Sequence, residues 1–249
     1  VKLIQILSLA LLQGVSEVLP ISSSGHLVLL QNILKIDGNL ISLFIYLHSA
    51  SLLAILLFFW PQIRELIRNK KTILYIVIAS IPAVIFGLSA ENLIESLFSS
   101  SKMVSLALLF TAFINFSTDR IIKKDQKEEL DGKKALKIGL FQALAIIPGI
   151  SRSGTSLNGA LRQKLEKNNA LNFIFLMSIP AIGGALLLDV AKHGIDLSFG
   201  VTNLILAISL TFISTFLSLK FLRSIVNKGN FIYFSIYCLL IAISTFFLL

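Results

Sequence analysis

Charged side chains are scarce in this sequence. Asp, Glu, Lys and Arg make up 14% of its 249 residues, where a soluble domain carries about 25%. That scarcity excludes an ordinary water-soluble enzyme. With 55% hydrophobic residues and a mean hydropathy of +0.87, it implies a polytopic membrane protein. Acidic residues are the scarcer sign, 13 against 22 basic, for a formal charge of +9. At this hydrophobicity the excess reads as Lys and Arg gathered in cytoplasmic loops, with no nucleic-acid partner. Cysteine is nearly absent. Cys238 stands alone, which excludes an internal disulfide and argues against metal–thiolate chemistry. Lys2 ahead of Leu3–Leu12 has the outline of a signal peptide, but no small-x-small cleavage site follows. The segment is therefore expected to stay in the fold.

What is present is apolar sequence in lengths that suit a bilayer. Six windows, Leu40–Trp60, Thr72–Ala90, Met103–Thr118, Ala170–Ala191, Val201–Leu222 and Phe231–Leu249, each approach the ~20 residues a spanning helix needs. Two further apolar regions are interrupted. Residues 3–34 break at Gln13–His26, which holds Glu17, Pro20, Ser22, Ser23, Ser24 and Gly25. Residues 135–165 break at Pro148-Gly149-Ile150-Ser151-Arg152-Ser153-Gly154. Non-helical backbone at membrane depth survives only where protein or a water-filled cavity covers it. Both regions therefore read as re-entrant helical hairpins.

Loop charge sets the orientation. Loop 61–71 carries Arg64, Arg68, Lys70 and Lys71 against Glu65, and segment 119–134 carries Arg120, Lys123, Lys124, Lys127, Lys133 and Lys134. Residues 161–169 hold Arg162, Lys164 and Lys167, and loop 223–230 holds Arg223 and Lys228. The alternate loops are poor in basic residues: 91–102 has Lys102 with Glu91 and Glu95, and 192–200 has Lys192 with Asp196. The positive-inside rule puts the first group in the cytoplasm. Both termini then lie outside, and the two hairpins enter from opposite faces.

An internal repeat supports this. A shift of 129 positions lays Gln13 on Gln142, Ile21 on Ile150, Ser22 on Ser151, Ser24 on Ser153 and Gly25 on Gly154. It also lays the first three spans almost on the last three. Each copy is one hairpin plus three spans, an odd count that turns the second copy upside down. A competing shift of 98 matches Ser80-Ile81-Pro82-Ala83 to Ser178-Ile179-Pro180-Ala181. It pairs helices of the same direction and reads as repeated use of a proline kink. The fold class is thus an all-α polytopic membrane protein, one domain over 1–249. It has six transmembrane helices and two re-entrant hairpins, in inverted repeats of approximately 1–120 and 130–249.

The two breaks carry the chemistry. A central Arg or Asp costs about 2.5–3.5 kcal/mol on an insertion scale, so such residues are normally paired and functional. Glu17 and Arg152 in one cavity suit a divalent cation and a phosphate. The hydroxyls of Ser22, Ser23, Ser24, Ser151, Ser153, Thr155 and Ser156 read as helix N-caps. Beyond Gly25 and Gly154 the same caps would present free N–H groups to an anion. His26, three residues from Ser23, suits acid/base work in phosphoryl transfer. His48, inside an apolar span, has no assigned role, and Asp189 reads as an interfacial residue.

The motif Gln13-x-x-x-Glu17 running into Leu19-Pro20-Ile21-Ser22-Ser23-Ser24-Gly25-His26, with Pro148–Gly154 following, resembles the undecaprenyl-diphosphate phosphatase family of the bacitracin-resistance type. The similarity extends through Ala135–Pro148 and Asn172–Ala185, and so over nearly the whole chain. The resemblance implies hydrolysis of undecaprenyl diphosphate to undecaprenyl phosphate, which recycles the bacterial cell-wall carrier lipid. It implies a divalent cation, Mg2+ or Ca2+, and a location in the bacterial cytoplasmic (inner) membrane. The site would face the periplasmic or outer side.

Carried onto this chain, it makes Gln13 and Glu17 the metal-binding positions, Ser23 the nucleophile and His26 its partner. Arg152 becomes the diphosphate clamp. Gln13, Ser22, Ser24, Gly25, Ser151, Ser153, Gly154, Thr155 and Ser156 become the substrate-binding set. Gln13 brings one charge fewer than a carboxylate would. The family's threonine after the second motif is Ser156 here, preceded by Thr155. Ser23 activated by His26, or a water activated by His26, would attack the terminal phosphorus. A secondary transporter or polyprenyl-phosphate flippase on the same inverted repeat is the alternative. Membrane lipid surrounds the chain in either case, and its oligomeric state, including a homodimer, stays open.

Overall fold

At membrane depth a backbone has to satisfy its own N–H and C=O groups, which an apolar run does by forming an α-helix. In the computed structural model every element among the described residues is an α-helix. Those residues are 1–36, 40–89, 97, 100–124, 127–193 and 197–248, without the side chains at positions 189, 192 and 193. The order is α1 Leu3–Ser16, α2 Ser23–Ile33, α3 Ile41–Phe58, α4 Trp60–Arg68, α5 Lys70–Ser89 and α6 Ser101–Ile121. It continues with α7 Gly132–Leu144, α8 Arg152–Arg162, α9 Lys167–His193, α10 Val201–Lys228 and α11 Ile232–Leu248.

Five of these, α3, α5, α6, α9 and α10, are long and apolar enough to cross a bilayer. α11 is as apolar and has 17 residues, about 26 Å of helix. The helices flanking the two breaks are shorter. α1 has 14 residues, α7 has 13, and α2 and α8 have 11 each, so none reaches across a core ~30 Å thick.

α6 packs along α11, α1 along α10, α5 along α7, and α3 against both α9 and α10. Hydroxyls join these partners where hydrocarbon gives no hydrophobic drive. Ser51 meets Thr215 at 3.0 Å between α3 and α10. Ser105 meets Thr245 at 2.8 Å between α6 and α11. The largest apolar core joins Val18, Leu19 and Ile21 of the first break to α3, α5, α9 and α11 through Ile55, Ile76, Phe173 and Phe234. The breaks are therefore held inside protein.

Three expectations change. Loop 61–71 is largely helical: Trp60–Arg68 forms α4, with Pro61 in its first turn, a position that its missing N–H suits. The non-helical breaks are narrower than the polar stretches. Gln13 and Ser16 belong to α1 and His26 to α2, while Thr155 and Ser156 lie inside α8. Loop 223–230 is helical as far as Lys228, the end of α10. Pro82 and Pro180 sit within helices α5 and α9, as proline kinks in spans would. Most of 91–102, the Asp189 and Lys192 side chains, and Asp196 lie outside the described residues.

Candidate active site

Both breaks end in the same construction. Ser22 caps α2, its Oγ accepting from Gly25 N–H at 3.3 Å. Ser151 caps α8 in the same way, accepting from Gly154 N–H at 3.2 Å. Ser23 and Arg152 are thus the first residues of their helices, where side chains and free N–H groups both face an incoming anion.

The two helix starts meet at one carboxylate. Glu17 is 5% exposed and follows the last residue of α1. Its Oε2 accepts from Ser23 Oγ at 2.7 Å and from Gln13 Nε2 at 2.8 Å. The Arg152 guanidinium pairs with Oε1. His48 Nε2 lies 3.4 Å from Oε2, and His48 Nδ1 faces the Phe44 carbonyl at 2.7 Å. An oxygen of that carbonyl only accepts, so Nδ1 carries the hydrogen. Glu17, Ser23, Arg152 and Gln13 therefore come together as the motifs suggested. His48 joins them from a span where its chemistry had no sequence neighbour.

His26 is placed differently from expectation. Its Nδ1 lies 2.8 Å from the Ser22 carbonyl and its Nε2 2.8 Å from Tyr237 Oη, so neither nitrogen is hydrogen-bonded to Ser23. The group beside the Ser23 hydroxyl is Glu17. Helix geometry gives the reason: a side chain tilts toward the helix N-terminus and meets the residue four back, which for His26 is Ser22. Thr155 is likewise turned inward, its Oγ1 donating to the Ser151 carbonyl at 2.7 Å. Ser156 is buried with Oγ unpartnered, so of the two hydroxyls Ser156 has the free one. Ser24 Oγ lies 3.4 Å from Ser22 Oγ. Ser153 crosses between breaks, donating to the Leu19 carbonyl at 2.9 Å.

α6 serves both breaks. Asn115 Nδ2 donates to the Pro20 carbonyl at 2.6 Å, and Thr111 Oγ1 donates to the Gly149 carbonyl at 2.7 Å. Thr111 Oγ1 also accepts from Ser151 N–H at 3.0 Å. Thr111 and Asn115 are four residues apart, hence on one helix face. Their polar types in an apolar window were the available signal for this role.

The donor set can be tested for a cation. Among the described residues, no three His, Cys, Asp or Glu side chains gather. Gln13 Oε1 is buried and accepts no hydrogen bond, and it belongs to the residue that bonds Glu17. One carboxylate and one amide oxygen are few for a resident ion. They fit a hard cation that takes its other oxygens from a bound diphosphate and water.

The buried Glu17 carboxylate paired with the half-buried Arg152 guanidinium, where the starts of α2 and α8 meet, suits a polyanion, and the chain is of the class of multi-pass membrane phosphatases. It belongs to the family described as bacitracin resistance protein BacA, whose model matches residues 6–244. A protein of Thermosipho africanus named undecaprenyl-diphosphatase is 42% identical over 247 residues, covering 96% of this chain and 97% of that one. Undecaprenyl-diphosphatase 2 of Bacillus thuringiensis is 38% identical, covering 98% and 96%. An undecaprenyl-diphosphatase of Korarchaeum cryptofilum is 35% identical over the full length of both chains.

Proposed function

We propose that this protein hydrolyses undecaprenyl diphosphate to undecaprenyl phosphate and inorganic phosphate, recycling the cell-wall carrier lipid and conferring bacitracin resistance. The observation that carries the reading is the meeting of Ser23, Glu17 and Arg152 at the starts of α2 and α8. A nucleophile, a base and a phosphate-gripping cation meet at one centre in which Glu17 is buried and Ser23 and Arg152 stay half-exposed, and related chains carry the enzyme's name. An apolar groove between α5 and α9, lined by Ile76, Ile81, Val84, Leu176 and Ile179, offers the isoprenoid tail a surface.

The architecture we infer is six transmembrane helices with α1–α2 and α7–α8 as re-entrant hairpins, arranged as an inverted repeat. Two close approaches support it. A Cβ on Gly25 would stand 2.8 Å from Gly149 Cα, and a Cβ on Gly154 would stand 3.2 Å from Pro20 Cβ. Under the 129-residue shift each contact becomes the other, as an approximate two-fold axis requires. The start of each long helix in one half also has its counterpart in the other to within a few residues.

In the reaction the diphosphate displaces Glu17 from the Arg152 guanidinium, whose planar donors grip phosphate oxygens. Ser23 Oγ attacks the terminal phosphorus while Glu17 accepts its proton, and the bridging oxygen leaves with the lipid monophosphate. Water then releases phosphate from Ser23. In the direct route Glu17 instead takes a proton from the attacking water. Glu17 and Gln13 would hold Mg2+ or Ca2+, which when bound neutralises phosphate charge. The site faces the periplasmic side of the bacterial inner membrane in this reading.

Phosphate release by the purified protein in detergent is the test, because no membrane then separates two compartments and a transporter releases nothing. We expect Arg152→Ala to lose at least about 100-fold in turnover, in line with losing one preorganised donor to the developing charge. Retention of most activity would overturn the clamp. A Ser23→Ala protein with unchanged turnover would eliminate the covalent route.

A further inference from the structure

His26 is 6% exposed, and both its ring nitrogens are committed at 2.8 Å. The acceptor at Nδ1 is the Ser22 carbonyl, which cannot donate, so Nδ1 carries the hydrogen. Nε2 is then the acceptor, and the Tyr237 hydroxyl is its donor. The two ring planes are within 8° of parallel with centroids 5.5 Å apart, so the phenol holds the imidazole in orientation as well as in tautomer.

The position equivalent to His26 in the other hairpin is Thr155. Its hydroxyl makes the same bond, to the carbonyl of the equivalent capping serine, Ser151, at 2.7 Å. Threonine has no acid/base capacity near neutral pH. The function common to both positions is to hold the N-cap carbonyl from inside the helix. The first hairpin needs this hold more. Ser22 has φ +70° and ψ +93°, against φ −77° at Ser151. A left-handed conformation at a non-glycine residue persists only where its surroundings over-determine it. Ser22 immediately precedes the nucleophile.

We infer that Tyr237 is a positioning residue: it fixes His26, which pins the strained Ser22 peptide and thereby aims Ser23 Oγ at Glu17, and His26 does not take the Ser23 proton. α11 grips the same break at the adjacent residue, Cys238 Sγ lying 3.9 Å from the Pro20 carbonyl. The second half of the chain thus aligns the nucleophile carried by the first. No tyrosine stands at the equivalent of Tyr237 in the first half, Leu108, and no histidine at the equivalent of His26, so the device is confined to the hairpin that carries Ser23.

The inference rests on the phosphatase reading, and release of phosphate from a prenyl diphosphate by the unaltered protein is the control that tests that reading separately. Given that activity, we expect Tyr237→Phe to lower kcat about 10-fold, within the range a misplaced group costs, with KM changed less than about 2-fold. His26→Thr, which restores the bond made by Thr155, keeps activity within about 10-fold of the unaltered protein, whereas His26→Ala loses at least about 100-fold, the scale of a misaligned nucleophile. Adding Tyr237→Phe to His26→Thr changes nothing further. A His26→Thr protein as inactive as His26→Ala overturns the inference, because a base is then required at that position. So does a Tyr237→Phe loss of equal size in both backgrounds, which marks Tyr237 as acting without His26. Nitrogen NMR of labelled histidine gives a readout independent of turnover: the inference expects Nδ1–H with Nε2 unprotonated, and an Nε2–H tautomer overturns it.

Discussion

Glu17 has two oxygens and four close neighbours, and the division between them sets what each neighbour does. Arg152 takes Oε1, while Ser23, Gln13 and His48 share Oε2. His48 Nδ1 donates to the Phe44 carbonyl, which leaves Nε2 to face Oε2 at 3.4 Å, where a protonated ring donates to the carboxylate. A hydrogen bond to a charged group contributes about 1.5–3 kcal/mol, so His48→Ala is expected to lower kcat/KM by roughly 10- to 100-fold. His48→Gln keeps a donor at the same reach and is expected to lose less. Steady-state phosphate release by the two variants measures the difference, and equal losses would count against a contact with Glu17. The sequence made Glu17, Ser23 and Arg152 legible because each is a costly residue in a break, and the 129-residue shift brings the breaks together. His48 carries no such mark. A single histidine in Ile41–Phe58 has no neighbour in sequence with which to form a motif, and only packing reveals its partner. His26 was placed one neighbour away from its true contacts, since nearness to Ser23 along the chain says less than the tilt of side chains toward the helix start.

Among the elements, α6 determines how the two breaks hold together. Thr111 and Asn115 satisfy carbonyls of Gly149 and Pro20 that have no helical partner. An unsatisfied buried carbonyl costs about 1–3 kcal/mol. Asn115→Leu keeps the volume and removes the donor, so it is expected to lower thermal stability by an amount of that order and to reduce turnover by displacing Pro20. Thermal unfolding of the purified variant, compared with Asn115→Gln, checks the direction. A Leu variant as stable as the original protein would mean that water replaces the amide. Spans were the most legible elements, since hydropathy and length are sufficient to find them; their ends moved by a few residues, except that α10 runs past Leu222 to Lys228. α4 was hidden for the opposite reason. Arg64, Glu65 and Arg68 were read as loop charges, and nothing in a search for apolar runs identifies a short polar helix opened by Pro61. The breaks looked wider than they are because hydroxyls and glycine within the first turns of α2 and α8 have the composition of a loop. They are the capping turns of helices.

At the scale of the whole molecule, the charge pattern makes a prediction about sides. Arg64 and Arg68 lie in α4, Lys70 and Lys71 at the start of α5, and Arg223 and Lys228 near the end of α10. The positive-inside rule puts both clusters in the cytoplasm. In the proposed inverted repeat α5 and α10 are counterparts, and charge at the start of one and the end of the other is what inversion requires. The 129-residue register was legible because the serines and glycines at both breaks kept their types. The reciprocal approach of the glycines was not, since a contact between two loops leaves no periodicity. If the hairpin tips meet at depth and the catalytic centre opens outward, substrate and cation reach it from one side only, because a diphosphate or divalent ion does not cross hydrocarbon unaided. Protein reconstituted in vesicles, with orientation scored by labelling a cysteine placed at Lys70, separates the possibilities. A membrane-impermeant chelator added outside is expected to stop phosphate release only from molecules whose Lys70 site is inaccessible to the external label. Added Mg2+ or Ca2+ is expected to restore it. Inhibition of the opposite population would place the centre on the cytoplasmic side and reverse the assignment. Release unaffected in either population, with chelator present on both sides, would remove the cation from Glu17 and Gln13 and leave Arg152 with the two helix N-termini as the whole counter-charge.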